Sequence, residues 1–181
     1  IQDCVAHAID PSLSTGPVPV LTPKAQPQHA SAKQHQTGEA SLTGSGLRSQ
    51  ADFTVRGRAL VTDVPITYLG YVNRDSGVIE EPGHPLDGVA IEDTVLVYPK
   101  GSGSTVAPYV LMGLIYTGKG PKAVVNRDIC PLTLPACSLL GVPYGHGFDN
   151  DPCLAVNTGD TVEFRRTSDG VVLEVVERVQ P

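Results

Sequence analysis

Short runs of apolar residues in the second part of the chain predict strands. Residues 53–61 alternate between apolar and polar side chains, which predicts a strand with one face in solvent. Residues 94–98 and 123–125 are continuous apolar runs, which are typical of strands buried on both faces. Residues 64–69 are a further short strand candidate.

A helix is predicted between the two buried strands. The helical spacing i, i+3, i+4, i+7 and i+8 is followed by Val106, Tyr109, Val110, Gly113 and Leu114. Ser104 or Thr105 fits the N-cap position, and the helix should end near Thr117 and Gly118. A buried strand, a helix and a second buried strand together predict a parallel crossover.

The last third of the chain adds a short helix and a hairpin. Pro135 suits the first turn of a helix that Gly141 would end. Residues 161–164 and 171–176 flank a Ser-Asp-Gly turn, which predicts a β-hairpin. The elements together predict the α/β class, with a mixed sheet and β/α units, and exclude a β-sandwich or a helix bundle.

The first 52 residues differ in composition from the rest. All six Tyr and all three Phe lie after position 52, and residues 1–52 are rich in Ala, Ser, Gln, His, Gly and Pro. Such a segment buries too little apolar surface to offset its ordering entropy. We therefore expect a linker or disordered extension over residues 1–52, followed by a single domain over residues 53–181.

Charge and hydropathy exclude several classes of function. The chain has 13 Lys plus Arg against 19 Asp plus Glu, a formal net charge of −6, and no basic cluster. General binding to nucleic acid or to an anionic membrane is therefore not expected. No run approaches the roughly 18 apolar residues of a membrane span. The four cysteines show no CxxC spacing, which favours reduced thiols and a cytoplasmic location.

Residues 101–105, here called the Gly/Ser loop, are the most informative stretch (Gly101, Ser102, Gly103, Ser104 and Thr105). The loop lies between a buried strand and a helix, where ligands of open α/β sheets bind. Glycines let the backbone approach a ligand closely, and a helix start offers unpaired N–H groups and a positive dipole end. The pattern indicates an anion site, and the alternative is a flexible turn with a serine N-cap.

Other polar candidates are weaker. Asn126 and Arg127 follow the second buried strand and should lie at the same sheet edge as the Gly/Ser loop, which makes both candidate substrate-binding residues. Arg127 could meet a substrate anion or pair with Asp128. His146 lies in a loop with acidic neighbours, which is either a metal site or a solvated loop. Three cysteines of the domain fit buried small hydrophobes better than cluster ligands, because their spacing matches no ligand pattern (Cys130, Cys137 and Cys153).

Several short segments, in order, resemble the swivel component of aconitase X, a divergent branch of the aconitase superfamily. They are residues 57–61, 65–70, 75–79, 84–88, 103–106, 121–126 and 159–162. The resemblance covers nearly all of residues 53–181 and none of residues 1–52. It implies a swivelling β/β/α domain, which agrees with the predicted elements.

The resemblance also implies a hydro-lyase. In this family a large component, separate or fused, holds an iron–sulfur cluster that acts as a Lewis acid toward the leaving hydroxyl. The swivel component closes over the site and supplies a serine as base, and that serine matches Ser104. Gly101, Gly103 and Thr105 would then shape the loop around a small anionic substrate. Known members dehydrate mevalonate 5-phosphate or cis-3-hydroxy-L-proline, and no metal site is expected on this chain itself.

The chain departs from the family at two places. Ser102 stands where relatives often carry a basic residue, and the segment 144–153 is longer than usual. The tail resembles the two-subunit, phosphomevalonate-type group more closely. Two alternatives stay open: the swivel domain of a fused hydroxyproline dehydratase with residues 1–52 as linker, and a non-catalytic module that holds an anion on the Gly/Ser loop.

Overall fold

The computed structural model describes residues 40–180 of the chain. Within this range there are nine strands: β1 (Ser41–Gly46), β2 (Thr54–Val61), β3 (Ile66–Thr67), β4 (Val95–Tyr98), β5 (Gly101–Ser102), β6 (Ala123–Asn126), β7 (Tyr144–His146), β8 (Thr161–Thr167) and β9 (Gly170–Glu177). The helices of the same range are α1 (Tyr68–Tyr71), α2 (Ala107–Tyr116), α3 (Leu134–Leu140) and α4 (Pro152–Ala155). The predicted α/β class with a mixed sheet is confirmed.

Seven of the strands close into a barrel in the order β1-β7-β6-β4-β2-β8-β9. The neighbours β2, β4, β6 and β7 are parallel, whereas β8 and β9 run antiparallel to each other and β8 runs antiparallel to β2. Strand β1 pairs antiparallel with both β9 and β7 and so closes the ring. Strands β3 and β5 form a separate parallel pair. The parallel crossover predicted through α2 is therefore present between β4 and β6.

The strand β4 separates two hydrophobic cores, which explains why its sequence is apolar at every position. Val95 and Val97 point into the barrel interior, together with Phe164 of β8. Leu96 and Tyr98 point to the other face and pack with buried residues of α2 and α3. Side chains alternate across a strand, so a strand covered on both faces needs two apolar sets.

Helix α2 lies where the periodicity predicts it, but its start and its buried face differ from the prediction. Of the predicted positions Val110 and Leu114 are buried, whereas Val106 and Tyr109 are exposed. The N-cap residue is Val106, and no side chain caps the helix. Ser104 instead lies two residues earlier, where its Oγ accepts the Val106 N–H at 3.2 Å. Pro108 occupies the first turn, where the missing N–H costs nothing. No helix within residues 40–180 is long and apolar enough to cross a membrane.

The domain begins earlier in the chain than predicted. Residues 41–46, assigned by composition to the extension, form β1, and Leu42 is only 2% exposed. Gln50 also belongs to the fold, because its Oε1 accepts the Tyr144 N–H at 3.2 Å. The composition misleads here because one apolar residue suffices for a short strand whose partners supply the rest of the core. The part of the predicted extension over residues 1–39 lies outside the described residues.

We predict that Leu42→Ala costs about 3 kcal/mol, because it leaves a cavity in the barrel interior. Such a loss lowers the thermal midpoint of a domain of this size by roughly 10 °C. Leu139→Ala is the matched control, since Leu139 is 70% exposed, and should shift the midpoint by about 2 °C or less. Equal midpoints for the two variants in a thermal melt would show that β1 contributes nothing to the cooperative core.

Candidate functional site

The candidate site lies at the carboxyl edge of the parallel strands, just beyond β4 and β6. The Arg127 N–H donates to the Tyr98 carbonyl at 3.3 Å, and the Asp128 N–H donates to the Pro99 carbonyl at 3.4 Å. These bonds hold the segments after the two strands side by side. The predicted shared edge of the Gly/Ser loop and residues 126–127 therefore exists in the fold.

The first limb of the Gly/Ser loop is fixed by a short ladder. Gly101 and Ser102 form β5, which pairs in register with Ile66 and Thr67 of β3. The hydroxyls of Thr67 and Ser102 lie 2.6 Å apart, so the Ser102 side chain already has a protein partner. Ser102 is thereby distinguished from Ser104, whose hydroxyl is not used in this ladder.

The centre of the loop turns into α2 at Gly103. Gly103 has φ +85°, and a Cβ at this position would lie 3.0 Å from Thr67 Cγ2. Beyond it, the Ser104 carbonyl accepts the Ala107 N–H at 2.9 Å, while Ser104 Oγ accepts the Val106 N–H. Within residues 40–180, the N–H groups of Gly103, Ser104 and Thr105 donate to no acceptor. The loop thus offers three unpaired N–H groups and the hydroxyls of Ser104 and Thr105 beside the positive end of a ten-residue helix.

The first limb of the loop also contacts a buried chain of polar groups, at Gly101. The Gly101 N–H donates to Cys130 Sγ at 3.1 Å, and the Thr133 hydroxyl donates to the same sulfur at 3.4 Å. The Tyr98 hydroxyl lies 2.9 Å from Thr133 Oγ1 and 2.7 Å from the Tyr68 hydroxyl. Burial raises the pKa of both tyrosines far above the ordinary value, so these phenols stay protonated.

Asn126 and Arg127, predicted to contact substrate, are both held by protein groups. Asn126 is fully buried; its Nδ2 donates to the Tyr98 carbonyl at 3.1 Å, and its Oδ1 receives no hydrogen bond within residues 40–180. Arg127 Nη2 pairs with Asp151 Oδ2 at 2.7 Å, and this hydrogen bond raises the pKa of Arg127. The anticipated partner Asp128 is therefore replaced by a residue 24 positions away in sequence, at the start of α4.

A cleft of about 500 Å³ adjoins the first limb of the loop. Its walls are residues 100–102 on one side and residues 128–132 on the other. Ile129 is 60% exposed here, and Cys130 forms part of the wall. The cleft therefore leaves the first limb of the loop accessible from the side where β6 ends.

The described residues do not fit an iron–sulfur cluster or another metal centre. Among residues 40–180 no three His, Cys, Asp or Glu side chains converge. The cysteines of this range are free and buried, and burial raises the pKa of both Cys137 and Cys153 to about 12. The acidic neighbours of His146 are engaged elsewhere: Asp149 Oδ1 accepts the Thr43 N–H, and Asp151 pairs with Arg127. The interpretation of the cysteines as buried residues agrees with these contacts.

Sequence reasoning missed Thr67, Cys130 and Thr133 as residues of the site. Thr67 and Cys130 reach the Gly/Ser loop by hydrogen bonds over 35 and 29 positions in sequence, and Thr133 packs against Gly101. No local pattern marks such contacts. The position of Cys130 after a buried strand was the one available signal, because residues there reach the same sheet edge as the loop.

We predict that Gly103→Ala destabilises the domain by about 2 kcal/mol, since alanine is strained at φ +85° and its Cβ meets Thr67. Gly118→Ala is the matched control: it has φ +73° and open space around it, so it should cost about 1 kcal/mol. Adding Thr67→Ser, which removes Cγ2, should bring the Gly103→Ala cost down to that of the control. Chemical denaturation measures the free energy of unfolding of all three variants. If Thr67→Ser does not reduce the cost of Gly103→Ala, the close approach of Gly103 to Thr67 is contradicted.

Comparison with known proteins assigns the family. The sequence matches the aconitase X swivel domain over residues 46–173. It is 33% identical over 126 residues to the phosphomevalonate dehydratase small subunit of Methanococcoides burtonii, covering 70% of this chain and 92% of that protein. It is 37% identical over 108 residues to the small subunit of the same name from Pyrococcus abyssi, covering 60% and 81%.

Solved structures agree. The fold matches the crystal structure of Thermococcus kodakaraensis aconitase X in its holo form with a TM-score of 0.66 and 25% identity, over 76% of this chain and 99% of that one. It also matches the solution structure of a UPF0107 protein with a TM-score of 0.65 and 28% identity, over 76% and 100%. A swivel-type α/β domain, its carboxyl-edge loop and the match over residues 46–173 together make this chain a member of the aconitase X swivel-domain family.

Proposed function

We propose that this chain is the small, swivel component of an aconitase X type hydro-lyase that dehydrates a hydroxy acid such as mevalonate 5-phosphate. The observation that carries the proposal is the family match spanning the Gly/Ser loop, with Ser104 at the start of α2. Relatives named phosphomevalonate dehydratase small subunit support the reaction class and the substrate.

In this proposal Ser104 is the base that removes the substrate's C–H proton. The electron pair of that bond forms the new C=C bond, and the neighbouring hydroxyl leaves as hydroxide with the electrons of its C–O bond. The large component would supply the Lewis acid for this leaving group. A free hydroxyl is too weak a base at neutral pH and needs oriented donors in a dry site. The Val106 N–H at 3.2 Å supplies one donor, and the positive end of α2 supplies a favourable field.

The neighbours of Ser104 take supporting roles. The unpaired N–H groups of Gly103 and Thr105 would bind an anionic group of the substrate, and Gly101 anchors the loop. The Arg127 side chain is 35% exposed and has one of its N–H groups on Asp151, which leaves donors for a substrate anion. Asn126 is buried and would act by tying the ends of β6 and β4 together.

The proposal needs a partner. The described residues supply no ligand set for a cluster, so the iron–sulfur cluster is assigned to a large component. The relatives above are named small subunits, which favours two separate subunits over a fused hydroxyproline dehydratase or an anion-binding module. Free thiols at the described cysteines support a reducing compartment such as the cytoplasm.

We predict that Ser104→Ala lowers kcat by about 10²–10⁴-fold in the complex with the large component, because the proton acceptor is lost. KM for mevalonate 5-phosphate should change less than about threefold, since backbone donors still hold the anion. The measurement is steady-state kinetics in the reconstituted complex, with complex formation checked by gel filtration.

Ser102→Ala is the control for Ser104→Ala, because it removes the same hydroxyl from the same loop. It breaks the contact with Thr67 and should cost roughly 1 kcal/mol of stability, with kcat within about threefold of the wild type. Equal, mild effects of the two variants on kcat would refute the base assignment and leave Ser104 as a turn residue.

We also predict that the purified chain alone shows no turnover and binds no stoichiometric iron, because its described side chains form no ligand set. Adding the large component under anaerobic conditions should restore dehydration. The checks are iron analysis, absorbance near the iron–sulfur band and product formation. Dehydratase turnover by this chain without a partner would contradict the two-component proposal.

A further inference from the structure

The buried polar chain beneath the Gly/Ser loop has one direction of hydrogen bonding. A hydroxyl carries a single proton, and the Thr133 hydroxyl donates its hydrogen bond to Cys130 Sγ. The Tyr98 hydroxyl must therefore donate to Thr133 Oγ1, and the Tyr68 hydroxyl must donate to Tyr98. Every donor in the chain points toward the Cys130 sulfur.

The Cys130 sulfur is the point where this chain meets the loop. It accepts the Thr133 hydroxyl from one side and the Gly101 N–H from the other. The backbone of Cys130 is fixed as well, because its N–H donates to the Tyr144 hydroxyl at 3.0 Å. Cys130 is 2% exposed and Thr133 and Tyr144 are fully buried, so water does not replace any of these partners.

The backbone of Gly101 lies so close to its neighbours that a side chain there would be tightly packed. A Cβ there would lie 3.2 Å from Leu132 Cβ, 3.4 Å from Thr133 Oγ1 and 3.6 Å from Cys130 Sγ. The backbone of Gly101 is thus in close van der Waals contact with Thr133 and Cys130. Ser104 is three positions further on in the same loop.

We propose that Cys130 is a positioning residue for the dehydration: its sulfur, oriented by Thr133 and the two tyrosines, holds Gly101 and thereby sets the place of Ser104. This inference rests on the proposed function of Ser104. A shift of about 1 Å in a reacting group costs up to 10²-fold in rate, so a loosened anchor acts on kcat. Substrate binding depends on loop amides and on the partner and changes less.

The test compares Cys130→Ala, Cys130→Ser and Thr133→Val in the full chain with the large component. Cys130→Ala should lower kcat for mevalonate 5-phosphate by about tenfold with KM within about twofold. Cys130→Ser keeps an acceptor at this place and should restore kcat to within about threefold of the wild type. Thr133→Val removes the donor that orients the sulfur and should fall between the two.

Cys137→Ala is the matched control. Cys137 is an equally buried free cysteine on α3, and its sulfur makes no hydrogen bond within residues 40–180. This variant should lower the thermal midpoint about as much as Cys130→Ala and leave kcat within about twofold. If both alanine variants lower kcat equally, or if serine fails to rescue, Cys130 is only a packing residue and the proposal is overturned.

Hydrogen exchange separates this inference from the proposed function. In the chain alone, the Gly101 N–H should exchange about fivefold or more faster in Cys130→Ala than in the wild type or in Cys137→Ala. Faster exchange together with an inactive wild-type complex would refute the proposed function. It would still support the hydrogen bond from Gly101 to Cys130 as the contact that fixes the loop. If exchange and kcat are both unchanged in Cys130→Ala and the wild-type complex is active, the positioning role of Cys130 is refuted and the proposed function stands.

Discussion

The buried hydroxyl of Tyr98 is the constraint on which the geometry of the site depends. Tyr98 ends the central parallel strand with its ring inside the core shared with the helices. An unsatisfied hydroxyl there would cost about 1–3 kcal/mol, so it must find partners. Tyr68 and Thr133 provide them, and they tie the segments after β3 and before α3 to the strand end. The Tyr98 carbonyl meanwhile holds Asn126. The Gly/Ser loop therefore leaves the sheet from a fixed point.

The Gly/Ser loop is fixed at both ends, and the N–H groups at its centre are unpaired. Gly101 and Ser102 are held by the ladder to β3 and by Cys130, and the second limb continues directly into α2. Between them the N–H groups of residues 103–105 have no acceptor within residues 40–180. Donors that are fixed in place but unpaired are preorganised, because binding an anion requires no rearrangement of the backbone. The left-handed conformation at Gly103 produces this arrangement, and it requires a residue without a side chain.

Elements that depend on a local residue pattern are predictable from the sequence, whereas strands whose partners lie far away along the chain are not. Residues 95–98 and the location of α2 are predicted correctly, because burial on both faces and helical spacing are visible in the residues themselves. The buried face of α2 is predicted only in part, since Val110 and Leu114 are buried whereas Tyr109 is 70% exposed. Strand β1 is missed because Leu42 is its one fully buried apolar residue and its partners lie about 100 or more positions away. Closure of the barrel is missed for the same reason. Within the site, the loop is found from its glycines, whereas the pairing of Arg127 with Asp151 follows from the fold of the segment 144–153, which no periodicity reveals.

The hydrogen bond from the Val106 N–H to Ser104 Oγ is common to a plain turn and to a catalytic base, and what differs is the medium around it. In this chain Gly103 and Thr105 are exposed, so water screens the field of α2 and Ser104 remains an ordinary hydroxyl. Under the proposed function, enclosure by a partner would remove that water and strengthen the same interactions. Under the proposed function, the basicity of Ser104 is therefore a property of the complex. The buried chain from Tyr68 to Cys130 fixes its position beforehand, within this chain alone.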